Sequence, residues 1–558
     1  MSKRFALIGA GLTGTSFLWQ LAQELESSSG TGGLGGDVCI EVFDRHAQAG
    51  PGLPHNGVYV LPCHITNMCA GDMGIAANRP RDFQDWLDAQ ESAGVLKQVA
   101  DPAVHGTQAM ADSECRHYPR SWMGHYLADR FSAAVTKLEA AGIRVMVHTR
   151  CEVVDLQIQE HGFALVFRDE MKTTHSPPRF DRVLLATGHW FPAQSDRRVI
   201  PSPWPAARLL AQIPPSAEVA VLGSSLSAIE TALTLSLDGY FARSEGGQLR
   251  YHPGAQPRRL TLFSRRGQLP RVRGRLGTRP NQILNSQALE RLVRERKGVL
   301  SLAELFSLLE QELRLAYGPS WSWQAVTAPE ASATEVLRAS LQLAQQGDGP
   351  QGEVLWQTVL AQALPWAHAL YLALAPEERR CFDRDWTTLF FLHVATQPAS
   401  NAEKLLALAD AGLVRVVALG EGYRVAADDQ GVTIEGRGKD APQRWRMDWL
   451  VDARGQPGAY ARCEEALPRA LVARGEFALT EGRFAGLRID PASLEVLRPD
   501  TRESASVGGI YAIGTMTRSQ MLDASMARGL VVAAARVSAQ IARWLHDGDR
   551  RVGGSLPR

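Results

Sequence analysis

The chain has 558 residues, 45% of them hydrophobic and 21% charged, with a formal net charge of +1 at pH 7. That length permits two or three domains with their own cores, and the composition is that of an ordinary globular protein. A charge so near zero gives no bulk field for nucleic acid or a membrane surface, so neither is an expected partner. The seven cysteines are scattered and none forms Cys-x-x-Cys. This argues against a disulfide framework or a structural zinc, and the expectation is a reducing, cytoplasmic setting. The first apolar run is too short for a signal peptide, and no stretch reaches the roughly eighteen apolar residues of a membrane span.

In chain order, the apolar run Phe5–Ile8 passes into Gly9-x-Gly11-x-x-Gly14 and then a helical pattern. This is the order of a βαβ unit that holds a dinucleotide pyrophosphate. Gly9 permits the tight turn, Gly11 lets backbone approach phosphate, and Gly14 lets helix pack on strand. The second strand, 37–44, ends in Asp44, a candidate acceptor for ribose hydroxyls, after a Gly/Ser-rich insert at 27–36. Helices are expected over 81–100 and 121–142, and strands over 144–170 and 182–188, the last ending in Ala-Thr-Gly188. The Pro-rich stretch 192–215 reads as a linker.

A second start follows at Glu218–Leu222, with Gly223-x-Ser225-x-x-Ala228 in place of three glycines. Its next strand ends in Ser264-Arg265-Arg266, where an NAD site would place an acid. Two guanidiniums and a hydroxyl there suit the 2′-phosphate of NADPH. Residues 280–412 are helical in pattern, with Trp321, Trp323, Trp356, Trp366 and Trp386 expected in its core. The strand 447–455 ends in Ala-Arg-Gly455, echoing Ala-Thr-Gly188. A last strand runs into Gly514-Thr515 before a long helix over 522–544, again an anion or dipole site.

The predicted fold class is α/β, with two Rossmann-like dinucleotide-binding domains and a largely helical region. The first domain takes residues 1–195 and 456–558, the second takes 196–280 and 413–455, and the helical region takes 281–412.

The chain resembles the two-dinucleotide-domain flavoproteins over nearly its whole length. The segments that carry the likeness are Gly50-Pro-Gly-Leu-Pro54, His64-Ile-Thr-Asn67-Met68, Asp82-Phe-x-x-Trp86-Leu87 and Pro119-Arg120-x-x-x-Gly124-x-Tyr126-Leu127. Ala186-Thr-Gly188, Pro203-Trp204, the Gly223 turn, Ser264–Pro270 and Gly514-Thr-Met-Thr517 continue it. Within that group it is similar to class B flavin-dependent monooxygenases, which include amine N-hydroxylases and Baeyer–Villiger oxygenases. The resemblance implies FAD in the first domain, contacted by Gly9, Gly11, Gly14, Asp44, Arg45, Met68, Val153, Thr187, Gly188, Gly514 and Thr515. It implies NADPH in the second, contacted by Gly223, Ser225, Ser264, Arg265 and Arg266. The implied reaction reduces FAD with NADPH, forms a C4a-hydroperoxyflavin with O₂ and oxygenates a small molecule, most plausibly at an amine or amino-acid nitrogen.

The candidate catalytic residues are Asn67, whose amide could reach the flavin edge, and Arg120, which could contact flavin or a substrate carboxylate. A turn asparagine and a surface salt bridge are the competing roles. Cys63 and Cys69 do not have the spacing of a redox Cys-x-x-Cys pair. Ser225 and Ala228 keep open an oxidase or dehydrogenase with a vestigial nicotinamide site. A Baeyer–Villiger-type oxygenase and a nucleotide-binding sensor or scaffold are further alternatives, and a homo-oligomer is compatible with all of them.

Overall fold

Two sheets with the same strand pattern organise the chain in this computed structural model. It describes residues 2–28, 37–95, 115–194, 196–323, 331–437, 442–455, 459–482, 484–499 and 506–546. Residues 29–36 of the glycine-rich insert and 96–100 of the expected helix 81–100 lie outside the described residues.

In the first half, β1 (Lys3–Ile8), β2 (Val38–Phe43), β3 (Ile143–His148) and β4 (Arg182–Leu185) lie parallel in the order β3-β2-β1-β4. In the second half, β5 (Val199–Ile200), β6 (Glu218–Leu222), β7 (Arg259–Ser264), β8 (Val414–Ala418) and β9 (Trp449–Asp452) lie parallel in the order β8-β7-β6-β9-β5. Each half also carries a three-stranded antiparallel ribbon, between β3 and β4 in one and between β8 and β9 in the other. The carboxyl-terminal β10 (Glu495–Leu497) and β11 (Ser506–Ala512) return to the first sheet, β11 beside β4. The first sheet is thus built from both ends of the chain, with the second enclosed between them.

The strands read as near-continuous apolar runs because helices cover both faces of a parallel sheet. All six residues of β2 are buried. Its one charge, Glu41, is met by Arg4 and by His148 Nε2 at 3.2 Å. Helix α1 (Leu12–Ser28) follows the first glycine turn and packs against α2 (Arg120–Ala140) and the terminal α5 (Ala527–His546). Helix α3 (Leu226–Leu235) follows the second turn and is buried from Ala228 to Leu235. In the helical region, Leu284, Leu289, Leu300, Tyr371 and Phe382 form a separate core, against which Trp366 and Trp386 pack. Two helices of that region, Ala333–Gln346 and α4 (Ala399–Asp410), instead pack into the core of the second sheet. Among the described residues, no helix is long and apolar enough to cross a membrane.

Two expectations are corrected here. The Pro-rich 192–215 stretch is more than a linker: it holds the edge strand β5 and a helix over Ala206–Gln212. A two-residue strand is too short to show periodicity, and the prolines lie just outside both elements. The cysteines are also not all free, because Cys69 and Cys115 form a disulfide. Their 46-residue separation conceals that pairing from local spacing.

Candidate dinucleotide sites

The carboxyl ends of β1, β2, β4 and β11 meet at an open cleft of about 1070 Å³. Such crevices are where open α/β sheets bind ligands. Gly9 leaves β1 with φ +99°, and a Cβ there would stand 2.2 Å from the Ala186 carbonyl oxygen at the end of β4. A Cβ on Gly14 would stand 2.2 Å from the Gly9 oxygen, so the first turn of α1 lies directly on the loop. Gly11 has ordinary φ and faces Gly52 Cα, 3.2 Å from a notional Cβ. The unbonded amides of the first turn of α1 therefore open onto the cleft beside the Gly9, Gly11 and Gly52 backbone.

Asp44, at the end of β2, is 5% exposed. Its Oδ2 accepts the Ala10 amide at 2.7 Å and its Oδ1 accepts the His46 amide at 2.8 Å. The carboxylate thus fixes the glycine turn to the strand end; Oδ1 also accepts from His46 Nδ1 at 2.9 Å, which leaves the second lone pair of Oδ2 toward the cleft. Arg45 closes the same end of the cleft, donating to Glu465 at 2.7 Å and to the His189 carbonyl at 2.9 Å. At the other end Thr515 Oγ1 donates to the Gly188 carbonyl at 2.6 Å, and Gly514 takes φ +113° with open space where a Cβ would be. An extended dinucleotide fits this shape: an acid at one end, a helix N-terminus at the middle and glycine backbone at the other end.

Of the residues named from sequence, Gly9, Gly11, Asp44, Arg45, Val153, Thr187, Gly188, Gly514 and Thr515 line the cleft. Gly14 sits beneath it, supporting the turn. Met68 packs against the core of the first half rather than on the cleft wall. Gly52, Leu53 and Pro54 of the Gly50–Pro54 segment line it as well, as do Cys151, Glu465 and Leu530, which sequence motifs do not mark. Glu465 and Leu530 arrive from the other end of the chain.

The second turn repeats the first with one change of packing. Gly223 takes φ +128°, and a Cβ there would lie 2.7 Å from the Ala453 oxygen, as Gly9 lies against Ala186. The sequence echo between Ala-Thr-Gly188 and Ala-Arg-Gly455 is therefore a structural equivalence. Ala228, in the place of Gly14, is fully buried. Ser225 caps α3 without a side-chain hydrogen bond and is exposed. At the end of β7, Arg265 donates to Glu421 at 3.1 Å and to Thr388 at 3.0 Å, and Arg266 donates to the Asp385 carbonyl at 2.9 Å. The Glu421 side chain is 81% exposed, so its hold on Arg265 is weak.

Arg120 does not line the cleft. Its Nε donates to Glu230 Oε1 at 2.7 Å, joining α2 of the first half to α3 of the second in an ion pair whose side chains are 15% and 3% exposed. Beside it, His64 Nδ1 accepts the Leu61 amide at 3.2 Å. Thr234 Oγ1 donates to the Glu230 carbonyl at 2.9 Å, so His64 Nε2 must be the donor in its 2.8 Å bond to Thr234. This fixes the neutral imidazole, and burial with the nearby Arg120 charge lowers the His64 pKa to about 3. His55 is lowered to about 3 by the same two causes. Asn67 is half-buried and also lies off the cleft wall. The neighbouring Thr66 carbonyl accepts a hydrogen bond from His117 Nδ1 at 2.9 Å.

These histidines set an acid limit. Each stays neutral when folded but takes a proton near pH 6.5 when unfolded, so the unfolded state binds more protons as pH falls. Stability is complete above pH 6.5 and falls toward pH 3, by about 1.4 kcal/mol per pH unit for each such histidine. The unfolding midpoint should therefore drop steeply between pH 6.5 and 4, and replacing His64 with glutamine should flatten that slope. An unchanged slope in the variant would remove His64 from the account.

The geometry repeats one strand–glycine–helix turn in two halves, and residues 6–190 match the FAD-NAD(P)-binding family model. Residues 6–190 are thus an FAD/NAD(P)-binding domain. Among solved structures the chain is similar to the ornithine N-hydroxylase of Kutzneria sp. 744, solved with reduced FAD, NADP⁺ and L-ornithine. The TM-score is 0.50 at 14% identity, covering 98% of this chain and 100% of that one. The reduced ornithine hydroxylase of Pseudomonas aeruginosa gives a TM-score of 0.51 at 12% identity, covering 97% and 99%. An uncharacterized protein of Escherichia coli (strain K12), YdhS, is 24% identical over 478 residues, 81% of this chain and 83% of that protein. At such identities the structural likeness shows the fold.

Proposed function

We propose that the chain is an FAD- and NADPH-dependent monooxygenase acting on a small molecule, most plausibly at the nitrogen of an amine or amino acid. The observation that carries this reading is the repeated strand–glycine–helix cradle. The first copy has an acid at its second strand end and an open cleft, and the second has Ser264-Arg265-Arg266 at the equivalent place. The same fold serves an ornithine N-hydroxylase that takes FAD and NADP⁺, which supports the assignment of one nucleotide to each half. FAD, when bound, supplies the redox chemistry, taking hydride from NADPH and passing electrons to O₂. The chain's own part is to hold both nucleotides in register. Gly9, Gly11 and α1 take the pyrophosphate of one, and Gly223 and α3 take that of the other. Asp44 orients a ribose, and the Arg120–Glu230 pair holds the two halves together.

Replacing Arg265 and Arg266 with alanine is expected to raise KM for NADPH more than tenfold while changing that for NADH little. This follows if each phosphate contact contributes about 1.5–3 kcal/mol. Equal effects on both nucleotides would sink the assignment. Ser225, whose side chain stands where the first turn has bare glycine, favours a second reading: a flavin oxidase or dehydrogenase with a vestigial second site. Fast flavin reduction by NADPH eliminates that reading.

A further inference from the structure

The loop that carries Asn67 is laced by backbone to the segment that leads into α2. Thr66 N donates to Tyr118 O at 2.8 Å, Ala70 N to Arg116 O at 2.9 Å and Arg120 N to His64 O at 2.8 Å, and Ile65 bridges Pro119 antiparallel. This ladder closes on both sides of Cys69. Cys69 is therefore held against Cys115 by the backbone, whether or not their sulfurs are bonded. Two residues on, His117 returns to the same side, with its Nε2 3.6 Å from Cys115 Sγ. The two sulfurs and a ring nitrogen of His117 all lie within 4.8 Å of one another. All three residues are half-buried, so the cluster is open to an ion and to a reductant.

The imidazole is set for coordination by its other nitrogen. His117 Nδ1 lies 2.9 Å from the Thr66 carbonyl oxygen, which can only accept, so Nδ1 carries the hydrogen and the neutral ring has its lone pair on Nε2. Metal-bound histidines are oriented in this way, the nitrogen away from the metal donating to a carbonyl or carboxylate. The 3.6 Å from Cys115 Sγ to Nε2 matches the S–N edge of a zinc tetrahedron. That edge is about 3.6 Å for Zn–S and Zn–N bonds of roughly 2.3 and 2.1 Å. Only the two sulfurs are out of place, because the disulfide joins them. Once reduced they need to part to about 3.8 Å, the matching S–S edge, a separation that side-chain rotation supplies. Two thiolates and an imidazole suit zinc, and the thiolates cancel its charge.

We propose that Cys69, Cys115 and His117 form a zinc site that exists when the two cysteines are reduced and is lost when they are joined. A dithiol reduces the bridge with two electrons and closes to a cyclic disulfide, its two protons passing to the sulfurs of Cys69 and Cys115. Zn²⁺ then displaces both thiol protons to solvent, and water takes the fourth position. A two-electron oxidant such as hydrogen peroxide reverses this. It takes both electrons from the thiolates and two protons from solvent to become water, the S–S bond forms, and the ion leaves. The spacing that marks zinc in a sequence is missing because Cys69 precedes Cys115 by 46 residues. The inference stands apart from the monooxygenase reading, since it uses neither nucleotide site.

The test uses the full flavin-loaded chain, reduced with a phosphine, freed of it without air, and titrated with Co²⁺. Tetrahedral cobalt has d–d bands to the red of flavin absorption, and Zn²⁺ is added afterwards in competition. The reduced chain should take up a single cobalt ion with tetrahedral bands, and zinc should displace it. The disulfide form should take up none, and peroxide should release bound zinc as the bridge reforms. Cys69→Ser, Cys115→Ser and His117→Gln should each weaken binding at least tenfold, while Cys63→Ser, the nearest other cysteine in the sequence, should bind as wild type does. His117→Gln should still form the Cys69–Cys115 bridge, seen by mass spectrometry of digests, which shows that its loop is intact. No tetrahedral cobalt spectrum in the reduced chain would overturn the proposal. So would equal uptake by the disulfide form, or undiminished binding in Cys115→Ser or His117→Gln.

Discussion

Replacing Glu230 with glutamine is expected to destabilise the protein by roughly 3 kcal/mol, the cost of leaving one partner of a buried ion pair without its opposite charge. Glutamine keeps the shape of α3 and its packing, so the loss comes from Arg120. That guanidinium would stay between the two halves, 2.7 Å from an uncharged amide where a carboxylate stood. His55 and His64 add nothing to compensate, because both are neutral. The double variant Arg120→Met/Glu230→Met should recover most of the loss, since removing both charges also removes their desolvation cost. Denaturant unfolding followed by near-ultraviolet circular dichroism measures this order directly. A single variant as stable as wild type, or a double variant worse than the single, would show that the pair is not what holds α2 to α3.

The second large effect is on flavin retention. Gly11→Ala should leave the fold intact, because Gly11 has ordinary φ and a Cβ there would lie 3.2 Å from Gly52 Cα, a contact relieved by a small shift. The added methyl stands where backbone must approach the pyrophosphate, so FAD affinity should fall at least tenfold, about 1.4 kcal/mol or more. Gly9→Ala should do more. Its φ of +99° and the 2.2 Å approach to Ala186 O make a side chain incompatible with the turn itself. The flavin-to-protein ratio after purification and the Kd for added FAD separate the two. Wild-type FAD binding in Gly11→Ala would place the pyrophosphate elsewhere.

What was legible in the sequence was local. Gly9, Gly11 and Gly14 each answer a backbone requirement within a few residues, and Asp44 sits at a strand end whose six residues are all apolar or neutralised. The second turn was legible despite Ser225 and Ala228, since small residues preserve the same close approach. What escaped notice depends on partners far away in the chain. Cys69 meets Cys115 across 46 residues, and Arg120 meets Glu230 across 110. The lining residue Glu465 reaches the cleft only because the chain returns to the first sheet after completing the second.

The central claim, that one half binds FAD and the other delivers NADPH to it for reaction with O₂, meets its most direct test in one stopped-flow experiment. The FAD-loaded protein is mixed anaerobically with NADPH or NADH, then with oxygenated buffer, while the flavin spectrum is followed. The account predicts rapid bleaching by NADPH, much slower bleaching by NADH, and return of the oxidised spectrum in two resolved phases through a species that is neither reduced nor oxidised flavin. No bleaching by NADPH, or a single-phase return with NADP⁺ present, would contradict it.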